Sequence, residues 1–231
     1  METRLVQLFD PATDTSISRS DQLWSRVADR IRQEIFTGRW KPGSRIVETR
    51  VAAEVGVAQS SVREALHQLE TEGLIARVPN VGAHVTQLTQ AQVSQVYGLR
   101  AQLESYAVLL VGQKGDHRDF DLLDERLAAC RRAVDDTPME FMMRDLEFHL
   151  DLWRCTGNEF LISSLTRIVL PLFALETRDV VPLLSRNAKV RNSQAHKEVV
   201  DHLRAGQIAA ARRSMVRMME KFWEQTCGLS K

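Results

Sequence analysis

The chain has 231 residues, enough for one large domain or two small ones, and 44% of them are hydrophobic, which is typical of a globular protein with a core. Its 31 basic and 30 acidic side chains nearly cancel, so the composition excludes a polycation that binds nucleic acid through bulk charge. The longest apolar run contains Pro171 and is too short for a transmembrane helix. Three widely separated cysteines form neither a disulfide framework nor a zinc-finger spacing, so we expect a reducing, cytoplasmic setting.

The first 86 residues divide into a tail and a small domain. Residues 1–19 lack a sustained hydrophobic period and are predicted to be a flexible tail. Over residues 20–86, apolar side chains at helical spacing, glycine breaks and two short β-type runs predict five elements. These elements are helices over about 20–38, 48–55 and 59–71 and strands over 74–78 and 83–86. Three helices followed by a small hairpin, with a short break before the third helix, predict a winged helix-turn-helix.

A winged helix-turn-helix is suited to binding DNA. Its second motif helix, here residues 59–71, fits a major groove about 12 Å wide, while the hairpin lies over the backbone or the minor groove. Residues 19–88 carry ten basic and eight acidic side chains, so DNA binding has to come from individually placed arginines.

Helical spacing continues through the predicted second domain, residues 87–231. Thr89 and Gln92 form a capping-box pattern at its start, and six segments with apolar stripes follow with short connections. The segments lie after Thr89, over about 120–134, over 138–155, after Asn158, over 185–204 and after Gly206. Together they predict a mostly α fold, in which the winged helix-turn-helix precedes an antiparallel bundle of six to seven helices.

Both predicted domains contain segments that resemble one family. In the first domain, IRQEIFTGRWKPGSRIVE, VAAEVGVAQSSVREALHQLETEGLI and PNVGAHV resemble the GntR family of bacterial transcription regulators. The second resembles the ligand-binding domain of the fatty-acid-regulator-like (FCD) branch, in LRAQLE, RDLEFHLDLWRCTGNEFL, QAHKEVVDHLRAG and AARRSM. The resemblance implies a homodimeric, DNA-binding repressor or activator whose DNA affinity is controlled by a small metabolite bearing a carboxylate.

The resemblance places candidate DNA contacts on the second motif helix, the wing and nearby arginines. Most members start this helix with Ser-Arg-Thr-Pro, whereas this chain has Gln59 at the arginine position; glutamine pairs better with adenine than with guanine, so the family's usual operator is not expected. The predicted contacts are Arg45, Arg50, Gln59, Ser60, Ser61, Arg63, Arg77, Gly82 and His84. The alternative is ordinary surface charge, with Arg63 paired to Glu70 or Glu72.

The resemblance also implies a metal site in the helical domain. Many relatives bind a divalent ion through one Asp and three His; Asp145, His149 and His196 match three of these ligands, and Met218 stands at the fourth. Because a thioether is a poor ligand for Zn, Ni or Mn, the site either holds one ion with three protein ligands or has been lost. Asp145 and His149, four residues apart, share one helical face, and the alternative is a buried histidine satisfied by a carboxylate.

Three residues are predicted to line an effector cavity: Arg100, Asn158 and Met218. By resemblance, Arg100 binds an effector carboxylate in a bidentate manner, although a salt bridge to Glu104 at i+4 would also satisfy it. Asn158 resembles an asparagine near the same cavity, and helix N-capping would explain it equally.

The sequence therefore predicts a non-enzymatic, cytoplasmic regulator that binds an inverted-repeat operator as a homodimer, has no membrane partner, and acts as a repressor released by an organic acid. Two alternatives stay open. In the first, the regulator is metal-free and binds an apolar acid or an acyl-CoA thioester. In the second, the Asp–His–His cluster holds a catalytic metal, although no paired glutamates or nucleophile motif accompany it.

Overall fold

The computed structural model describes residues 19–79 and 81–229. Apart from Arg19, where the first helix begins, the predicted tail lies outside the described residues. Contacts divide the chain into two compact units, with the boundary between Leu88 and Thr89. Each unit is described by itself.

The first unit is the predicted winged helix-turn-helix. Its elements are α1 (Arg19–Phe36), β1 (Arg45–Ile46), α2 (Glu48–Val55), α3 (Gln59–Thr71), β2 (Ile75–Val78) and β3 (Gly82–Val85). The strands form an antiparallel sheet of order β1-β3-β2, in which Arg45 lies opposite His84 and Ile75 opposite Val85. The sequence does not predict β1, because a two-residue strand is too short to show alternation and is defined only by its pairing with β3.

A small apolar core holds the three helices of this unit together. The core side chains are Val27, Ile31 and Ile35 of α1, Val51 and Ala52 of α2, and Val62, Leu66 and Leu69 of α3. Gly56 ends α2 with a φ of +72°, a left-handed conformation that glycine adopts without a steric penalty. This turn lets α3 cross over α2 with its apolar side facing inward.

A buried ion pair also joins α1 to the end of α3. Arg32 and Glu72 are 4% and 2% exposed, and the guanidinium donates two hydrogen bonds, of 2.9 and 2.8 Å, to the carboxylate. Gln68 donates a third hydrogen bond to Glu72, and Asp29 accepts one from Arg32. Because every partner is satisfied, the pair fixes the position of α3 at little net cost.

The second unit is a helical bundle, as predicted. Its α-helices are α4 (Gln90–Lys114), α5 (His117–Arg132), α6 (Pro138–Arg154), α7 (Glu159–Leu175), α8 (Arg186–Arg204) and α9 (Ile208–Leu229). The capping box of Thr89 and Gln92 is present at the start of α4. A π-helical turn, Glu176–Val180, extends α7, and α4 packs against α9 and α7 while α8 packs against α5 and α9.

One segment, Glu159–Leu183, is long and apolar enough to cross a membrane when judged by length and composition alone. The most apolar 18-residue stretch of this segment is 61% buried within the protein, as expected for a core helix. Counting only the longest uninterrupted apolar run misses this segment, because isolated polar residues divide the segment into shorter runs.

We expect Glu72→Gln to lower the free energy of unfolding by about 3 kcal/mol, because it leaves the buried Arg32 guanidinium without its charged partner. The control is Glu54→Gln, which breaks an exposed i,i+4 pair with Arg50 and should change stability by less than about 0.5 kcal/mol. Urea denaturation of both variants makes the comparison. Equal effects would show that the buried pair does not fix α3.

Candidate functional site

The outer side of α3 carries four of the predicted DNA contacts. Gln59, Ser60 and Arg63 are exposed, and Ser61 is half-buried. Since α3 buries its apolar side against α1 and α2, these polar side chains share the opposite side of the helix. An exposed polar face on the second motif helix is the geometry that major-groove reading needs.

Glu48, in the first turn of α2, connects residues of α3 and β2. Its Oε2 accepts hydrogen bonds from Gln59 Nε2 at 3.1 Å and from Arg63 Nη2 at 3.2 Å, and its Oε1 lies 3.7 Å from Arg77 Nη1. Burial acts to raise the pKa of this carboxyl, but the hydrogen bonds and the two arginine charges lower it overall. Because one carboxylate contacts all three, Gln59, Arg63 and Arg77 lie on one face of the unit.

The alternative pairing of Arg63 with Glu70 or Glu72 is wrong. Arg63 pairs with Glu48, whereas Glu70 accepts a hydrogen bond from Arg77 at 3.1 Å and Glu72 is taken by Arg32. Sequence proximity along α3 suggested the wrong acid, since Glu48 is fifteen residues away and is brought close by the turn after α2.

The wing presents one predicted contact, Gly82, with a backbone that requires glycine. Its φ is +104°, and an added Cβ would lie 3.7 Å from Arg45 Nε, so the conformation rather than crowding selects glycine. His84 Nδ1 lies 3.1 Å from the Gly82 carbonyl oxygen, while Val78 and Val81 beside the hairpin turn are nearly half exposed. The wing therefore combines an exposed arginine, Arg45, with an apolar tip.

Arg50 lies on the exposed side of α2, where its side chain is 74% exposed and pairs with Glu54 at 2.9 Å. Such an exposed pair contributes little to stability, so Arg50 is free to exchange Glu54 for a phosphate. The roles of Arg50 and the other predicted DNA contacts remain predictions.

In the helical unit, Asp145 and His149 of α6 and His196 of α8 form a buried cluster. Their ligand atoms all lie within 4.8 Å of one another. The two His Nε2 atoms are 3.0 Å apart, and Asp145 oxygens lie 3.8 Å from His149 Nε2 and 3.6 Å from His196 Nε2. Residues from two helices, 47 positions apart in sequence, thus point their polar atoms at one small volume.

Hydrogen bonds behind the cluster fix the orientation of both histidines. His149 Nδ1 lies 2.8 Å from Glu104 Oε2, and His196 Nδ1 lies 2.8 Å from the backbone oxygen of Asn192. Since these partners are acceptors, we assign the hydrogen of each ring to Nδ1, which leaves lone pairs on both Nε2 atoms. Arg100 Nη2, 3.0 Å from His149 Nε2, donates to one of these lone pairs, and a metal ion bound between the two rings would take the place of that donor.

The donor chemistry of this cluster fits a divalent metal. One carboxylate and two imidazole nitrogens suit Zn, Ni or Mn, and hydrogen bonds to the far ring nitrogens are typical of metal-binding histidines. Burial lowers the pKa of His196 to about 4, although the Asp145 charge acts to raise it. His196 is therefore neutral at physiological pH, as a metal ligand must be.

Arg100 is already paired within this region. Its Nε donates to Glu104 Oε1 at 2.8 Å, its Nη2 lies 3.0 Å from His149 Nε2, and its guanidinium lies 4.9 Å from the centre of the Phe173 ring. The i,i+4 salt bridge with Glu104 is thus present. Whether Arg100 also binds an effector carboxylate remains a prediction.

The other two predicted effector residues have structural surroundings of their own. Asn158 caps α7, since its Oδ1 accepts a hydrogen bond from the Leu161 backbone N–H at 3.1 Å. Met218 of α9 is buried, with 5% of its surface exposed. Their contact with an effector remains a prediction.

Sequence reasoning missed several acids that set the electrostatics of both sites. Glu48 and Glu176 had no motif, and Glu104 was considered only as the partner of Arg100. Glu176 begins the π-helical turn after α7 and accepts a hydrogen bond from the Tyr97 hydroxyl of α4. Burial raises the pKa of Glu176 to about 7, although Arg100 and the Tyr97 hydrogen bond act to lower it.

The chain was compared with known families and proteins. Residues 23–85 match the family described as "Bacterial regulatory proteins, gntR family", and residues 95–221 match "FCD domain". The chain is 31% identical over 159 residues to the uncharacterized HTH-type transcriptional regulator YdhC of Bacillus subtilis (strain 168), an alignment that covers 67% of this chain and 70% of the relative. It is 28% identical over 140 residues to the gluconate operon transcriptional repressor of Bacillus licheniformis, covering 59% and 56%.

Among solved structures, Escherichia coli McbR/YncC has the same fold, with a TM-score of 0.70 at 20% identity over 86% of this chain and 94% of that chain. These matches confirm the family resemblance and the mostly α fold. The matched families and relatives are transcription regulators and not enzymes, which confirms the prediction of a non-enzymatic protein.

We expect Glu176 to make stability depend on pH. Because burial raises its pKa from 4.5 to about 7, the folded state holds a proton that the unfolded state releases between these values. The free energy of unfolding should therefore fall by about 3 kcal/mol as the pH rises through that range. Glu176→Gln keeps an acceptor for Tyr97 but cannot ionise, so it should remove this loss.

Unfolding of wild type and variant at pH 5 and pH 8 measures the effect, with the exposed Glu220→Gln as a control. The two proteins should have similar stability at pH 5, and Glu176→Gln should be the more stable at pH 8. Parallel pH profiles would contradict the shifted pKa.

Proposed function

The chain belongs to the GntR family of bacterial transcription regulators and carries an FCD effector-binding domain. On that premise, we propose that it is a cytoplasmic repressor that binds an inverted-repeat operator as a homodimer. An organic acid bound in the helical domain lowers its affinity for the operator. DNA and effector affinities are then reciprocally coupled.

The observation that carries the DNA-binding role is the contact of Gln59, Arg63 and Arg77 with Glu48. It supports a single DNA-binding face to which α3 and the wing both contribute. Arg63 and Arg77 exchange the Glu48 carboxylate for phosphate or base acceptors, while Gln59 offers a bidentate pairing to adenine.

Selection of sites from random duplexes tests this role. The selected sites should form an inverted repeat, and Arg63→Ala should weaken binding at least about tenfold at physiological salt. Arg186→Ala is the matched control, because Arg186 is similarly exposed and ion-paired but lies on α8 of the other unit. Gln59→Arg should change the preferred base at one position in each half-site from adenine to guanine. If the selected duplexes show no sequence preference, the proposal is wrong.

The charges around the buried cluster support a metal-dependent effector site. Glu104 and Asp145 are buried acids in this region, and Glu104 already holds the buried cation Arg100 in an ion pair. An added carboxylate would be repelled there unless a cation balanced it. Asp145, His149 and His196 would hold a divalent ion, which would supply that charge and an open coordination position for the effector carboxylate.

Metal analysis of the purified protein tests this site. We expect about one Zn, Ni or Mn per chain in wild type and a loss of it in His149→Ala. The control is His202→Ala, which removes a histidine of α8 that is hydrogen-bonded to Gln207 outside the cluster. Met218→His should increase the affinity for the metal, since the resemblance places a ligand at that position.

A metal-free site is the second candidate, and it is favoured by Met218 and by the salt bridge that already occupies Arg100. In that version the effector is an apolar acid or an acyl-CoA thioester. Wild-type protein that holds no metal, even after metal is added back, would decide for this candidate.

A further inference from the structure

Two helices of the helical unit, α6 and α8, meet at three successive side-chain contacts. On both helices, each contact follows the previous one by three or four residues, so all three lie along one side of each helix. The contacts join the Phe141 ring centre to Lys189 Nζ at 5.3 Å, Asp145 Oδ1 to Asn192 Nδ2 at 3.2 Å, and His149 Nε2 to His196 Nε2 at 3.0 Å. The middle contact, between a carboxylate and an amide, therefore lies directly beside the candidate metal ligands.

Asn192 contacts two of the three candidate metal ligands. Its side-chain Nδ2 donates a hydrogen bond to Asp145 Oδ1, and its backbone oxygen accepts one from His196 Nδ1 at 2.8 Å. Because an ionised carboxylate can only accept hydrogen bonds, the amide has to present its NH2 group to Asp145. One residue thus fixes a ligand of α6 and a ligand of α8 relative to each other.

The amide of Asn192 holds Asp145 without neutralising its charge. Glu104, which lies behind the cluster, is paired with the Arg100 guanidinium at 2.8 Å, so its charge is already balanced. Within the described part of the chain, the ion-pair contacts of Asp145 are with the two cluster histidines, at 3.8 and 3.6 Å, and none is with a lysine or an arginine. Lys189, one turn before Asn192, donates instead to the Val134 backbone oxygen at 3.3 Å. The negative charge of Asp145 is therefore available to a cation bound at the cluster.

We propose that Asn192 is a positioning residue of the metal site. Its amide holds Asp145 Oδ1, so that Asp145 offers Oδ2 to the metal, and its backbone oxygen turns His196 Nε2 towards the same point. The inference rests on the metal-dependent version of the proposed function. Hydrogen bonds that orient metal ligands typically change metal affinity about 10- to 100-fold. A carboxylate that binds through one oxygen also leaves a further coordination position open for the effector.

The first test removes the amide donor and keeps the backbone carbonyl that orients His196. Asn192→Leu should weaken Zn²⁺ binding by the full chain about 10- to 100-fold, measured by competition with a chelator. The matched control is Gln194→Leu, because Gln194 is also an amide of α8 but is exposed and accepts a hydrogen bond from Arg131 at 3.0 Å. The control should bind Zn²⁺ as tightly as wild type. Circular dichroism checks that both variants fold.

A second measurement separates positioning of Asp145 from a general loss of stability. Co²⁺ is a spectroscopic substitute for Zn²⁺, and its visible absorption depends on the number and geometry of the ligand atoms. At saturating Co²⁺, Asn192→Leu should give a spectrum that differs from that of wild type, because the freed Oδ1 of Asp145 can join Oδ2 in binding the metal. A variant that had only lost stability would bind Co²⁺ less tightly but would show the wild-type spectrum once saturated.

Equal Zn²⁺ affinities of Asn192→Leu and Gln194→Leu, or an unchanged Co²⁺ spectrum in Asn192→Leu, would each overturn the inference. A wild type that takes up neither ion would also overturn it and would favour the metal-free regulator. Failure of the DNA-binding role gives a different result, namely that both metal measurements come out as expected while the random duplexes yield no operator.

Discussion

The buried carboxylate of Glu104 is the contact on which the helical domain depends. One oxygen accepts from Arg100 on its own helix, and the other faces His149 of α6. Burial opposes its charge, but the neighbouring His149 and Arg100 lower the pKa of Glu104 to about 2, so it stays ionised. An ionised acid with both oxygens engaged fixes α4 against α6 and orients the His149 ring towards Asp145 and His196.

This arrangement gives the two sides of α4 different surroundings. Arg100 and Glu104 point inward to the buried cluster, while Leu99 and Leu103, each adjacent in sequence to one of them, lie on the uncharged outer side. A ligand that drew Arg100 away from Glu104 would therefore disturb the packing of α4 against α6. Packed helices respond to such shifts by changing between discrete arrangements, so a ligand at Arg100 would be expected to change the packing of the helical unit.

The sequence predicts the elements of this protein better than their long-range partners. Hydrophobic spacing and glycine breaks located α3 and the wing hairpin, because both signals are local. The two-residue strand β1 was missed, since only its pairing with β3 defines it. At the sites, the family resemblance pointed to Asp145, His149 and His196. The roles of Glu104 and Asn192 carry no motif, because they depend on contacts with histidines 45 and 4 residues away. The alternative to DNA contact for Arg63 named the wrong acid for the same reason, since its partner is Glu48.

The carboxylate of Glu48 has a further consequence for how the protein would find its operator. In the free protein it is bound to Gln59 and Arg63, the side chains that would otherwise attract any phosphate backbone. Random duplex DNA would have to displace this internal acid and would meet its negative charge, which would weaken non-specific complexes. A true operator repays the displacement with base contacts. The internal acid would therefore favour sites that offer base contacts over sites that offer phosphates alone.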